Sequence, residues 1–137
     1  DPALDRRLGE ILVREYETVF FWVQGKGDFA YFQSLGDGLP VTVVPPSLEA
    51  YEELLRRPAL DYVGTRLHGG IKAMQMGRRA VILSVDNRAE DMHRDFSLCI
   101  LPRSAVETLP ARLHEEFTAS PRLHAEAIRT FLSQFTE

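Results

Sequence analysis

The order of apolar and amphipathic segments constrains the fold of this chain more than any other feature. Short apolar runs alternate with segments of helical periodicity, and no two-residue hairpin turn joins one run to the next. The runs are Thr18–Val23, Val41–Val44, Asp61–Gly64, Ala80–Ser84 and Leu98–Leu101. Because parallel strands need long and usually helical connections, this order predicts an α/β, Rossmann-like parallel sheet of about five strands with helices on both faces.

The composition is that of one globular domain. The 137 residues are 45% apolar and 26% charged, so we interpret residues 1–137 as a single domain. The net charge of −4 argues against nucleic acid as the main partner, because phosphate backbones select basic surfaces. A single cysteine, Cys99, excludes an internal disulfide. No apolar stretch approaches the ~20 residues of a membrane span and no signal peptide is visible, so a cytoplasmic location is predicted.

The first residues predict that the chain is a piece of a longer protein. It opens on Asp1-Pro2, which is a helix-start signal, and it has no initiator Met. Half of any active site would then lie in the missing part.

Residues Asp61–Gly70 carry the strongest functional signal. A short strand runs into a small-residue turn, and a helix opens at Arg66. The first turn of a helix has unpaired N–H groups and a partial positive charge, so it suits an anion. Arg66 and His68 can bind phosphate or carboxylate, and His68 can also transfer a proton. The pair Gly69–Gly70 would let a ligand approach the backbone, whereas Leu67 is predicted to point into the core.

An arginine and a histidine here also have a simpler interpretation. Arg66 can be a solvated side chain paired with Asp61, and His68 can be a buried histidine bonded to a backbone carbonyl. The helix-start position and the double glycine favour the functional interpretation.

Other basic residues follow the predicted strands at their carboxyl ends, where open parallel sheets bind ligands. Lys26, Arg88 and Arg103 would join Arg66 and His68 there, so the sequence predicts one basic rim on an acidic protein. For Arg88, a role in a solvated helix start is an equally good interpretation.

Further patterns favour structural roles. Gly25–Ala30 has the Gly-x-Gly-x-x-Ala spacing of a dinucleotide fingerprint, but the second strand ends without the acidic residue that binds ribose. Arg78 and Arg79 enter the fourth strand at the opposite rim and are predicted to be solvated. The histidines other than His68 are isolated at no metal-ligand spacing, so no metal site is predicted.

One segment of the chain resembles the Arg-Leu-His region of polysaccharide pyruvyl transferases. The resemblance is carried by Thr65–His68, by the small-residue helix through Ala73, and by Met76–Ser84. It covers about residues 60–103 and extends loosely over residues 17–59. Where that family usually shows an aromatic residue and a lysine, this chain has Asp86 and Arg88.

The resemblance implies both an architecture and an activity. The chain would be the C-terminal half of a GT-B-like (glycosyltransferase-B-like) transferase that moves a pyruvyl group from phosphoenolpyruvate to sugar hydroxyls, as a ketal, in envelope or exopolysaccharide biosynthesis. Arg66 and His68 would be catalytic, without a cofactor or a metal. The candidate substrate contacts are Thr65, Arg66, His68, Gly69, Gly70, Arg88 and Lys26. The partners would be phosphoenolpyruvate, a sugar or polysaccharide acceptor, and the missing N-terminal domain, without which the isolated domain is expected to be inactive.

Two alternatives stay open at this point. A sugar-nucleotide glycosyltransferase of similar architecture would hold a diphosphate at the same rim, but it needs a ribose-binding acid near a strand end. A non-catalytic anion- or sugar-binding module needs only the rim itself.

Overall fold

The computed structural model describes residues 1–36, 38–85, 98–116 and 125–134. The helices in this part of the chain are α1 (Pro2–Glu15), α2 (Asp28–Ser34), α3 (Leu48–Leu55), α4 (Leu67–Gln75), α5 (Leu109–His114) and α6 (Ala125–Ser133). The strands are β1 (Val19–Trp22), β2 (Val41–Val44), β3 (Asp61–Gly64), β4 (Arg79–Ser84) and β5 (Ile100–Pro102), and a 3₁₀ helix covers Arg103–Thr108. Helices and strands alternate from α1 to β4, as the sequence predicts. The sequence also predicts a helix from Arg88 to about Asp95, and that segment lies outside the described residues.

Two helices begin with the caps that their sequences provide. The Asp1 side chain accepts a hydrogen bond from the N–H of Ala3 at 3.0 Å, and Pro2 fills a first-turn position where no N–H is needed. At the start of α3, Ser47 Oγ accepts from the N–H of Ala50 at 3.1 Å. Each cap of this kind stabilises a helix by ~1 kcal/mol.

All the strand pairs are parallel, and they form two sheets. β1 pairs with β2, while β4 lies between β3 and β5. The predicted α/β fold with parallel strands is therefore confirmed. The expectation that about five strands share one sheet is wrong for the described residues, since β1 pairs only with β2 among them, and residues of β1 and β3 line a cavity between the two sheets.

β1 and β3 nevertheless run side by side in the same direction. At their amino ends, the Tyr16 hydroxyl donates a hydrogen bond to the Asp61 carboxylate at 2.7 Å. Beyond their carboxyl ends, Arg66 forms an ion pair with Asp28 at 3.1 Å. The connections that follow β1 and β3 therefore lie together at one edge, which we call the carboxyl edge.

Helices cover both faces of the three-stranded sheet, as predicted. Side chains alternate along β4, so Val81 and Leu83 face one side and Ala80 and Ile82 face the other. The first side packs against α1, the 3₁₀ helix and α5, in a cluster that includes Ile11, Leu101, Val106, Leu109 and Leu113. The second side packs against α3 and α4, in a cluster that includes Tyr51, Leu55, Ala73, Met74 and Leu98. Leu67, in the first turn of α4, also packs against this second cluster, so that turn is held against the sheet.

Candidate functional site

The connection from β3 to α4 presents two of the predicted site side chains to solvent. Arg66 is the residue before the helix, with an extended backbone (φ −88°, ψ 103°) and no capping hydrogen bond from its side chain. Arg66 and His68 are exposed, whereas Leu67 packs against the buried cluster around Tyr51. The prediction that Leu67 turns toward the core is confirmed. The functional roles of its two exposed neighbours stay predictions.

Arg66 has a partner for which the sequence gives no signal. Its Nη2 lies 3.1 Å from Oδ1 and 3.3 Å from Oδ2 of Asp28, the first residue of α2. The alternative pairing of Arg66 with Asp61 is wrong, since Asp61 binds Arg79 and the Tyr16 hydroxyl. The two residues are 38 positions apart in the chain, and only folding brings Asp28 to this arginine.

Asp28 is itself held by the loop that precedes it. Its Oδ2 accepts hydrogen bonds from the N–H of Gln24 at 3.1 Å and from the N–H of Gly25 at 2.8 Å. Three donors therefore converge on one carboxylate, two from the backbone and one from the guanidinium. We call the set formed by Gln24 N–H, Gly25 N–H and Arg66 Nη2 the anion cradle.

Gly69 and Gly70 have a packing role. A Cβ atom on Gly69 would lie 2.8 Å from the Tyr62 hydroxyl oxygen, and one on Gly70 would lie 2.7 Å from Cγ1 of Ile82. Both glycines are buried, and their missing side chains let α4 lie close against β3 and β4. Helix-to-sheet packing is sufficient to explain them, and a ligand contact at these positions stays a prediction.

Two tyrosines fix the backbone at the start of α4. The Tyr62 hydroxyl donates to the carbonyl oxygen of Arg66 at 2.8 Å, and the Tyr51 hydroxyl donates to that of Gly69 at 2.7 Å. The Tyr51 ring also stacks on Trp22 of β1, with the ring centroids 3.9 Å apart. Burial raises the pKa of Tyr62 to about 12 and also raises the pKa of Tyr51. Both hydroxyls therefore remain protonated donors at neutral pH.

A cavity of about 590 Å³ lies beside Arg66, between β1 and β3. Its apolar walls include Phe20, Trp22, Leu54, Tyr62 and Val63. Its polar lining at the carboxyl edge includes Gln24, Asp28, Thr65, Arg66 and Arg103. A cavity of this size with an apolar body and a few polar groups is typical of small-molecule sites.

The carboxyl edge is less basic than the sequence predicts. Arg66 is compensated by Asp28, and Arg103 is compensated by Asp5 of α1. The Tyr31 hydroxyl also donates to Asp5, at 2.5 Å. An anionic ligand at this edge therefore meets arginines that already have carboxylate partners.

Of the other predicted contacts, Thr65 lies in the turn between β3 and Arg66 and lines the cavity. Lys26 is exposed in the loop after β1, next to the Gly25 N–H of the cradle. Arg88 lies outside the described residues. The fold thus brings Lys26, Thr65, Arg66 and His68 to the same edge.

The prediction that Arg78 and Arg79 are solvated is wrong, because both arginines bond to the fold. Arg78 Nε donates to the carbonyl oxygen of Leu55 at 2.6 Å. Arg79 Nε binds the Asp61 carboxylate at 3.1 Å, and its Nη1 donates to the carbonyl oxygen of Leu113 at 2.9 Å. These bonds tie β4 to α3, β3 and α5 at the rim opposite the candidate site, so their role is structural.

In the part of the chain that the structure describes, no group of three or more His, Cys, Asp or Glu side chains is arranged to hold a metal ion. Across the same described ranges, no helix combines the length and the apolar character needed to cross a membrane. No protein-family model, curated protein or solved structure matches this chain. A functional assignment therefore rests on the residues at the carboxyl edge and on the sequence around them.

Proposed function

We propose that the chain is the C-terminal α/β domain of a polysaccharide pyruvyl transferase with a GT-B-like architecture. The observation that supports this most is the joint exposure of Arg66 and His68 at the start of α4. The parallel fold also supports it, because open parallel sheets bind ligands at the edge where these residues lie. The resemblance over residues 60–103 supplies the identity of the reaction.

The proposed reaction joins phosphoenolpyruvate to two hydroxyl groups of a sugar. A proton adds to the methylene carbon of the donor, which leaves a cation at the neighbouring carbon. One sugar hydroxyl adds to that carbon, phosphate leaves, and the second hydroxyl closes the ketal. Of the two hydroxyl protons, one replaces the proton consumed at the methylene carbon and the other departs with phosphate.

Arg66 binds the phosphate or the carboxylate of the donor, and N–H groups of the first turn of α4 share that charge. His68 is exposed two residues further on, and it moves the proton or makes a second contact with the anion. Lys26 and Thr65 supply further polar contacts at the same edge. The scheme requires no metal and no cofactor.

A facing N-terminal domain completes the proposed enzyme by carrying part of the acceptor site. Closure of two domains over a reaction centre excludes water and strengthens the electrostatic contacts inside it. The present chain is therefore expected to bind the donor weakly and to catalyse no transfer. The cytoplasmic location predicted from the sequence belongs to the same proposal.

Thermal denaturation with competing donors tests this function. Millimolar phosphoenolpyruvate should raise the melting temperature of the chain, whereas a nucleoside diphosphate sugar at the same concentration should not. The reverse result would favour a sugar-nucleotide glycosyltransferase. A complete protein that binds phosphoenolpyruvate but forms no pyruvate ketal on a sugar would rule out the transferase and leave a binding module.

A further inference from the structure

The carboxylate of Asp28 occupies a position suited to an external anion. Two backbone N–H groups and one guanidinium nitrogen converge on it, at distances of 2.8–3.3 Å. Backbone N–H groups combined with an arginine are a common way of binding phosphate and carboxylate groups. Asp28 therefore fills this cradle as a ligand from within the chain.

Solvent exposure makes the interaction between Asp28 and Arg66 easy to exchange. The Arg66 side chain is 57% exposed and the Asp28 side chain is 27% exposed. Ion pairs this open to water are weak, because both partners are well hydrated when they separate. A soluble anion can thus compete with Asp28 for the guanidinium.

The position of the cradle points to the kind of anion. Gln24, Asp28 and Arg66 all line the cavity between β1 and β3. An anionic group bound in the cradle would leave the rest of its molecule room in that cavity. A phosphate group has enough acceptor oxygens to bind all three donors together.

We infer that Asp28 is a displaceable internal ligand of the cradle and that it sets the affinity of Arg66 for phosphate-bearing anions. This inference depends on the proposed function in one respect only, the choice of phosphate-bearing anions as the class of ligand. Two effects of Asp28 oppose phosphate binding. Its charge repels the incoming anion, and its carboxylate occupies the donors that the anion needs. Removal of the Asp28 charge should therefore tighten phosphate binding.

The Asp28→Asn substitution removes the charge of this side chain but can preserve the structure of the loop before α2. The asparagine side-chain oxygen can still accept from the N–H groups of Gln24 and Gly25, while the negative charge beside Arg66 is gone. Inorganic phosphate titrated into the ¹⁵N-labelled chain should bind about tenfold more tightly to the variant, as expected for one charge a few ångströms away that is screened almost as strongly as in bulk water. The gain should disappear when Arg66→Ala is added.

One control variant and one alternative Asp28 variant complete the experiment. Glu53→Gln removes the same charge from an exposed ion pair with Arg56, and it should leave phosphate affinity unchanged. Asp28→Ser is measured alongside in case the asparagine variant does not fold, with near-UV circular dichroism of the single tryptophan, Trp22, as the folding check.

Three results would overturn the inference: phosphate binding in a folded Asp28 variant that is no tighter than in the original chain, an equal gain in Glu53→Gln, or a gain that survives Arg66→Ala. Because inorganic phosphate is the probe, the outcome does not depend on pyruvyl transfer. Tighter phosphate binding in the Asp28 variant, together with a complete protein that forms no pyruvate ketal, would reject the proposed function alone.

Discussion

The Tyr62 hydroxyl donates a hydrogen bond to the carbonyl oxygen of Arg66 at 2.8 Å. This bond joins the side chain of a residue in β3 to the residue that begins the proposed site. The tyrosine fits there because Gly64 and Gly69 carry no side chain, and a Cβ on either would lie within 3.0 Å of its oxygen (2.9 and 2.8 Å). Packing at β3 thus sets the backbone of Arg66 and leaves its side chain exposed.

Tyr62→Phe should reveal how much this bond contributes. The ring and its packing remain, and the Arg66 carbonyl oxygen loses the tyrosine donor while it keeps the hydrogen bond from the Gly70 N–H at 3.2 Å. We expect the free energy of unfolding to fall by about 0.5–1.5 kcal/mol, as for a typical intramolecular hydrogen bond. Urea denaturation followed by Trp22 fluorescence measures this change. Unchanged stability together with unchanged amide shifts at Arg66–Gly70 would show that the bond does not position the site.

Gly70→Ala should destabilise the protein through packing. The new Cβ would lie 2.7 Å from Cγ1 and 2.8 Å from Cδ1 of Ile82, whose side chain is almost fully buried and has little room to move. Overpacking of this kind typically costs about 1–3 kcal/mol, part of which the better helix propensity of alanine offsets. Gly27→Ala is the matched control, because a Cβ there meets nothing within 4 Å. Equal unfolding free energies for the two variants would contradict the close approach of α4 to the sheet.

Alkaline pH should unfold the protein as its tyrosines ionise. Burial raises the pKa of Tyr62 to about 12 and also raises the pKa of Tyr16 and Tyr51, while a hydrogen bond to Asp5 raises the pKa of Tyr31. Because the pKa of a buried tyrosine is higher in the folded protein than its unfolded value of 10.0, the neutral hydroxyl favours the folded state. This contribution to stability is complete below pH 10 and is lost as the pH rises toward 12.

Tyrosinate absorbance and far-UV circular dichroism measured together check this prediction. Ionisation should coincide with unfolding. Substantial tyrosinate near pH 10 in a protein that keeps its native circular dichroism would count against the raised pKa values.

Alanine substitutions at the consecutive residues Arg66, Leu67 and His68 should differ in their effect on the free energy of unfolding. Leu67→Ala should lower the free energy of unfolding by ~2 kcal/mol or more, because its side chain packs against the core. Arg66→Ala and His68→Ala should stay within ~1 kcal/mol of the original chain, because both side chains are exposed.

In the proposed complete transferase, loss of Arg66 should slow transfer roughly ten- to a hundredfold. Loss of His68 should slow transfer by about 10²–10⁴-fold if it moves the proton. Arg66→Lys should recover little if the contact is bidentate. Melting curves paired with transfer rates test these expectations. Near-normal rates in folded Arg66→Ala and His68→Ala would make both residues structural.

The sequence predicts local features of this fold well. Apolar runs locate the strands, the caps at Asp1 and Ser47 locate helix starts, and alternation around Leu67 gives the side that faces the core. Each of these depends on residues close together in the chain. The division of the strands into two sheets was not predicted, because it depends on how segments distant in the chain pack together.

The same limit applies to the candidate site. Sequence pattern picks out Arg66 and His68 because strand, turn and helix start are consecutive. It gives no signal that Asp28 faces Arg66 or that Asp61 binds Arg79, because both pairs form only when distant segments pack together. The predicted basic rim therefore has less uncompensated charge than a count of its arginines suggests.

A titration of phosphoenolpyruvate into the ¹⁵N-labelled chain and into its Arg66→Ala variant, followed by amide chemical shifts, tests most directly whether Arg66 holds the donor. We expect saturable shifts at Gln24–Gly25 and Thr65–Gly70 in the millimolar range, and binding at least tenfold weaker in the variant. Absence of shifts at these residues, or equal binding by the two proteins, would contradict the claim that Arg66 holds the donor.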